Sequence, residues 1–219
     1  MSGAATADAP STLGGLARTL VTRGSPRLLI AAVLAAALWR ATRGPLAWPD
    51  LAAAAGVLLL WPLQEWTIHR WLLHWKPRRL GRFVLDFAQA RKHRRHHLRP
   101  WDFAEVSIPL HTFAYALPLL TGLAWVTRDV PGAASAVLVY LALGLHYEAC
   151  HFMAHSNYVP RTALYRALWK NHRLHHFKNE TQWLGVSMRL GDRLLGTNPD
   201  QKQVPRSATC RTLGVAPPR

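Results

Sequence analysis

Between Glu148 and His176 the chain reads EACHFMAHSNYVPRTALYRALWKNHRLHH, and this stretch holds five histidines: His151, His155, His172, His175 and His176. A neutral imidazole is a ligand for iron, copper and zinc, and a helix brings residues three or four apart onto one face. His151 and His155 therefore share a face, as do His172, His175 and His176. A lone histidine on an apolar face is usually a packed, hydrogen-bonded core residue. Five at ligand spacing point to metal binding instead.

The pattern recurs upstream, where HRWLLH places His69 and His74 after an earlier apolar run and HRRHH places His93, His96 and His97 soon after. Ten of the twelve histidines thus fall into four compact groups. A single ion takes about four to six ligands, so two metals are implied. His69 and His74 are five residues apart, which is not a same-face spacing on a regular helix. They either reach the cluster from different sides or flank a kink. His111 and His146 stand apart within apolar runs; each reads as a buried, hydrogen-bonded side chain, although an intramembrane histidine pair can also ligate a haem. Glu148, one helical turn before His151, is placed to orient a ligand imidazole through its other ring nitrogen.

The elements that must position these groups are apolar. Half of the 219 residues are hydrophobic and bunched in runs, only 17% are charged, and the ten tryptophans fall mostly near the ends of those runs, as in interfacial belts. This composition points to an all-α integral membrane protein. The spans expected are Leu28–Trp39, Leu51–Ile68 with its helix continuing through Trp75, Ser107–Val126 and Ala133–Cys150, followed by a cytosolic helix over Tyr165–His176. Together they make about four transmembrane helices with a cytosolic helical cap that carries a histidine-rich dimetal site.

A formal charge of +16 raises the question of nucleic acid, but basic runs such as RKHRR fit the cytoplasmic loops of membrane proteins better, and no nucleic-acid partner is expected. Nine Lys or Arg residues against the single acid Asp86 place the Lys76–Arg99 loop in the cytosol, and four crossings then bring both termini and all ten grouped histidines to that side. Two cysteines, Cys150 and Cys210, do not make a disulfide framework. Residues 1–26 read as a flexible cytosolic N-terminal tail without signal-peptide features, 27–197 as the membrane domain and 198–219 as a loose C-terminal tail.

HRWLLH, HRRHH, HYEACHFMAH and NHRLHH, in that order and interleaved with four apolar runs, resemble the fatty acid hydroxylase and sterol desaturase superfamily of integral-membrane di-iron enzymes. The resemblance covers Leu51 to Thr197 and includes the closing GDRLLGT. The pattern is nearest to the fatty acid 2-hydroxylase branch, and it implies that His69, His74, His93, His96, His97, His151, His155, His172, His175 and His176 bind two irons. Zinc can replace iron in purified samples, because nitrogen sites favour it thermodynamically. Two features depart from that branch: Asn171 stands where a further histidine is common, and nothing before Leu28 would form the haem-binding donor domain of many eukaryotic members.

The resemblance implies oxygen-dependent hydroxylation of a membrane lipid, first a fatty acyl chain, with electrons from a separate donor protein. Carotenoid or sterol hydroxylation or desaturation is the alternative within the superfamily. A non-enzymatic metal transporter or haem-binding membrane protein is the alternative outside it. No Ser–His–Asp pattern or His-Glu-x-x-His motif points to a hydrolase.

Overall fold

Apolar runs bounded by Pro, Gly and basic residues fold as helices, and the computed structural model describes them over residues 9–216. The order is α1 (Leu13–Thr22), α2 (Gly24–Ala41), α3 (Trp48–Thr67), a π-helical turn (Ile68–Leu73), the hairpin strands β1 (Arg78–Leu80) and β2 (Phe83–Leu85), then α4 (Ala88–Leu98) and α5 (Phe103–Val106). After these come α6 (Leu110–Val126), α7 (Ala133–Ala154), α8 (Ala163–Phe177) and α9 (Leu190–Leu194). Four stretches are long and apolar enough to cross a membrane: Gly24–Ala41, Trp48–Leu73, Phe103–Val126 and Ala133–Ala154. The expected helical, four-span architecture is therefore observed, with a small antiparallel hairpin added to it.

The first span is longer than the apolar run Leu28–Trp39. Its helix begins at Gly24, because Pro26 falls in the first turn, where a missing N–H is not needed. Eighteen residues give a helix about 27 Å long.

Helix α7 is central, with α2 and α3 packed along it and α8 against its histidine end. Leu29 and Ala36 of α2, Phe113 of α6 and Leu141 of α7 form one buried cluster between the spans. Leu59, Leu60, Leu119 and Trp125 on the outer faces remain exposed, as bilayer-facing residues must. At the end of the bundle away from the histidines, buried Arg40 donates to Ser135 Oγ at 2.8 Å and to Asp50 Oδ2 at 2.9 Å, while Ser135 donates to Asp50 Oδ1 at 2.6 Å. A buried charge is tolerated only when paired and hydrogen-bonded. This triad ties α2, α3 and α7 together.

Both expected tails are built into the fold where they are described. Leu16 of α1 packs with Val106, Cys150, Phe152 and Leu168. Residues 1–8 and 217–219 lie outside the described residues. Towards the C-terminus, Cys210 and Leu213 are buried, Ser207 N–H donates to Lys178 O at 2.8 Å, and Arg211 donates to Leu98 O at 2.8 Å. Where it is described, the segment expected as a loose tail is held by two buried side chains, the Ser207 backbone N–H and the Arg211 guanidinium, which leave no apolar period to read.

One close approach joins membrane and cap. Gly191, the first residue of GDRLLGT, lies against α3 so closely that a Cβ there would stand 2.3 Å from Pro62 O. Gly191→Ala must push α9 off α3 and is expected to lower stability by about 1–3 kcal/mol. Thermal unfolding in detergent measures this; an unchanged midpoint would show that the contact gives way without strain.

Candidate metal centre

Four elements bring the histidines together. His69 and His74 come from the end of α3, where the chain passes into the π-helical turn, and His74 N–H donates to His69 O at 3.2 Å. This is a bond five residues back rather than four. The wider turn converts a five-residue spacing into a same-face spacing, and the two rings lie 4.9 Å apart. Of the two possibilities left by the spacing, the helix irregularity is the one observed.

The ten side chains fall into two sets of five, one of His69, His74, His93, His97 and His175, the other of His96, His151, His155, His172 and His176. Within each set one nitrogen per ring lies within 4.8 Å of all the others. Each His-x-x-His-His group is divided. In α4 the i, i+4 pair His93 and His97 joins the first set and His96 the second, whereas in α8 the pair His172 and His176 joins the second and His175 the first. Each set thus takes a pair from a span end, a pair from one cap helix and a single ring from the other.

The rings are spaced as ligands would be. Nε2 of His93 is 3.1 Å from Nε2 of His69 and 3.2 Å from that of His97. In the second set the Nε2 contacts are 3.1 Å for His151 with His96 and 2.9 Å for His172 with His155. Nitrogens bound to one ion at about 2.0–2.1 Å sit roughly 2.9–3.4 Å apart at octahedral or tetrahedral angles.

The protonation pattern also favours a cation. His69 and His97 donate their Nδ1–H to backbone carbonyls, so as neutral rings they present lone pairs at Nε2. His93 carries at most one Nε2 proton for both, and one contact is left lone pair to lone pair. Nε2 of His74 and His175, Nδ1 of His96, His155 and His172, and both nitrogens of His176 are buried without a hydrogen-bond partner. Burial, reinforced by neighbouring imidazoles, holds His96, His172, His175 and His176 well below the usual histidine range and His97 at about 3. Neutral rings with free lone pairs fit a pair of soft-to-borderline metal ions.

Outside the rings, backbone carbonyls fix three of the first set. His69 Nδ1–H donates to Leu184 O at 2.6 Å, His175 to Gln182 O at 2.9 Å and His97 to Cys210 O at 2.8 Å. The first two carbonyls flank Trp183, a buried non-glycine residue with φ of 54°. Such a backbone is strained for a bulky side chain, and it turns the chain between the two acceptors. Two carboxylates hold the strained segment: Asp192 accepts from Leu184 N–H and Gly185 N–H, each at 2.8 Å, and Glu65 accepts from Ser187 N–H at 2.8 Å and Ser187 Oγ at 2.6 Å. Asn171 does not point at the sets; it donates to Gly185 O at 2.8 Å and Asp192 Oδ2 at 3.1 Å. The sequence reading missed the parts played by Glu65, Asp192 and Asn171. The available signals were Asp192 inside GDRLLGT and Glu65 one turn before His69.

Glu148 takes partners other than a ligand imidazole. Three residues along α7 leave it roughly 60° around the helix from His151, where it accepts from Ser25 Oγ at 2.5 Å and Ile108 N–H at 3.0 Å. Its work is to join the start of α2 and the approach to α6 to the central helix. His111 is exposed on α6, and half-buried His146 lies 3.6 Å from Cys150 Sγ. Neither belongs to either set.

The sequence pattern of the fatty acid hydroxylase family matches residues 54–197. Among curated proteins the chain is similar to the dihydroceramide fatty acyl 2-hydroxylase FAH2 of Arabidopsis thaliana, 30% identical over 153 residues, which are 69% of this chain and 62% of that protein. It is also similar to the ceramide very long chain fatty acid hydroxylase SCS7 of Saccharomyces cerevisiae, 29% identical over 154 residues, 64% of this chain and 36% of that protein. The chain therefore spans less than two thirds of the length of either relative. Among solved structures, full-length scs7p, with only its hydroxylase domain visible, shares the fold with a TM-score of 0.57 at 20% identity, over 90% of this chain and 70% of that one. The family match runs from within the second span, through all four histidine groups, to the end of GDRLLGT: the chain belongs to the fatty acid hydroxylase family.

Proposed function

We propose that this chain hydroxylates a membrane lipid, with a fatty acyl chain as substrate, and that the ten grouped histidines hold two iron ions for the purpose. The observation that carries this reading is the division of ten imidazoles into two sets of five at one end of four membrane-length helices. Iron bound there supplies activation of dioxygen and removal of hydrogen from an unreactive C–H bond. The chain's own residues present neutral nitrogens, hold three rings by backbone carbonyls and bury the site away from water. The names of the relatives, a fatty acyl and a very long chain fatty acid hydroxylase, support an acyl substrate ahead of a carotenoid or sterol. A transporter would need ligands distributed through the spans, whereas the paired rings here gather at one end.

Putting one atom of dioxygen into a C–H bond requires two electrons and two protons from outside, the second oxygen leaving as water. A separate donor protein would dock on the basic Lys76–Arg99 side of the cap through its α4 part, where Arg91, Lys92 and Arg95 give a charge that suits an acidic carrier. The same basic excess supports a cytosolic cap and cytosolic termini.

Protein matured in iron-rich medium should carry two metal ions per chain. His172→Ala removes a nitrogen from the second set alone and should lower the metal content towards one. Deleting residues 207–219 withdraws the carbonyl from His97 in the first set and should weaken that ion roughly 10–100-fold. Metal analysis after graded chelation reads both; one ion per chain, indifferent to His172→Ala, would overturn the two-metal assignment.

Reporter fusions test orientation. A fusion at Arg219 should report the cytosol and one in the Thr127–Pro131 turn the opposite side, and a non-cytosolic signal from Arg219 would refute the proposed topology.

Comparative lipid mass spectrometry of cells with and without the protein tests the reaction. The expected product is an acyl lipid heavier by one oxygen atom, lost in His175→Ala at equal protein level. If iron-loaded protein with a competent donor changes no lipid class, the hydroxylase reading falls.

A further inference from the structure

We propose that the β1–β2 hairpin is a membrane-surface anchor that seats Leu80, Phe83 and Leu85 in the headgroup region of an anionic lipid leaflet. The strands pair Arg78 with Leu85 and Leu80 with Phe83, and directly paired residues share a face of the hairpin. One face thus carries Leu80, Phe83 and Leu85 beside Arg78, and the other carries Arg79 with Val84. A two-residue connection closes the hairpin with Gly81 at φ of 59°, a conformation that suits glycine at its first position.

All six strand residues are exposed, with Leu80 at 60%, Phe83 at 65%, Val84 at 59% and Leu85 at 38%. A two-stranded hairpin is marginal in water by itself, so an apolar face of this kind calls for a cover from outside the chain.

Position and charge both indicate lipid. The hairpin begins five residues after Leu73, the end of the second membrane-length stretch, a reach of at most about 17 Å. Trp71 near that end is itself exposed at 64%, so the apolar outer surface of the span runs towards the hairpin. Trp75 Nε1–H donates to Leu85 O at 3.3 Å and the Arg78 guanidinium lies 4.6 Å from the centre of the Trp75 ring, which pins the hairpin beside the span end. Arg78, Arg79 and Arg82 surround the apolar face and match lipid phosphates, each contributing roughly a fivefold bias towards an anionic surface. Arg94 then donates to Trp75 O at 2.8 Å and pairs with Asp86 at 2.6 Å. The base of the hairpin is therefore joined to the neighbours of His74 and His93, and seating it in the headgroups sets the height of the histidine sets above the bilayer.

The test uses full-length protein in nanodiscs with a nitroxide attached through Phe83→Cys; Cys150 and Cys210 are both buried, and unsubstituted protein gives the background. In discs of phosphatidylcholine with phosphatidylglycerol the label should be open to oxygen and closed to a water-soluble nickel chelate. Replacing Arg78, Arg79 and Arg82 together by Glu should open it to nickel, with metal content and elution volume unchanged. Leu119→Cys, on an exposed span face, provides the lipid reference. A label open to nickel in the anionic discs, or one closed to both reagents because a donor protein or second copy covers it, would overturn the proposal.

Discussion

Ten imidazoles packed at one end of a helical bundle cannot satisfy one another. A neutral ring has one N–H to give, and where His69 and His97 spend theirs on Leu184 O and Cys210 O, the Nε2 atoms turned towards His93 are lone pairs. Lone pairs at about 3 Å repel unless a proton or a cation lies between them. The rest of the cap is arranged to hold rings in that unfavourable relation. A chain free to relax would rotate the imidazoles towards water, so their convergence depends on the carbonyls and helices that deny them the rotation.

The segment that carries two of those carbonyls is itself poorly suited to be rigid. It is irregular, it contains the strained Trp183, and its N–H groups would be unsatisfied if they were simply buried. Two carboxylates supply the acceptors. Glu65 reaches it from α3 and Asp192 from α9, and Gly191 lets α9 approach α3 closely enough for both to act on the same few residues. The membrane-length helix that delivers His69 and His74 therefore also fixes the loop that aims His69 and His175. Asn171 adds a link from α8 to the same loop, and its amide serves this purpose with two N–H donors, which a neutral imidazole could not supply.

The histidine groups and the spans were legible because both announce themselves locally, by residue type at helical spacing and by unbroken apolar runs. The five-residue gap between His69 and His74 could be recognised as irregular, but not resolved, since a π-helical turn has no residue signature of its own and arises from packing. The assignment of His96 to one set and His93 and His97 to the other follows from how α4 lies against α7 and α8, a tertiary fact. Glu148 was misplaced for a related reason: three-residue spacing gives proximity along a helix but leaves open which neighbour the side chain meets, and here α2 and the start of α6 are nearer partners than the imidazole. The C-terminal segment was illegible because backbone groups do its work, and a carbonyl such as that of Cys210 is the same in every residue.

The two sets are held by different means. In the first, three of five rings are fixed from behind by carbonyls drawn from the 182–187 loop and the C-terminal segment. In the second set a backbone group of Val106 faces His151, and the other rings are placed mainly by the meeting of α7 and α8. Arg173, between His172 and His175, donates to Ala154 O at 2.9 Å and Ser156 O at 2.7 Å, the residues on either side of His155. These bonds satisfy carbonyls at and just beyond the end of α7, and they lock the two histidine-bearing helices at the point where His155 faces His172. The first set is therefore oriented largely ring by ring, and the second largely by the crossing of two helices. Disorder in the C-terminal segment would disturb the first set, and loosening of the α7–α8 crossing would disturb the second.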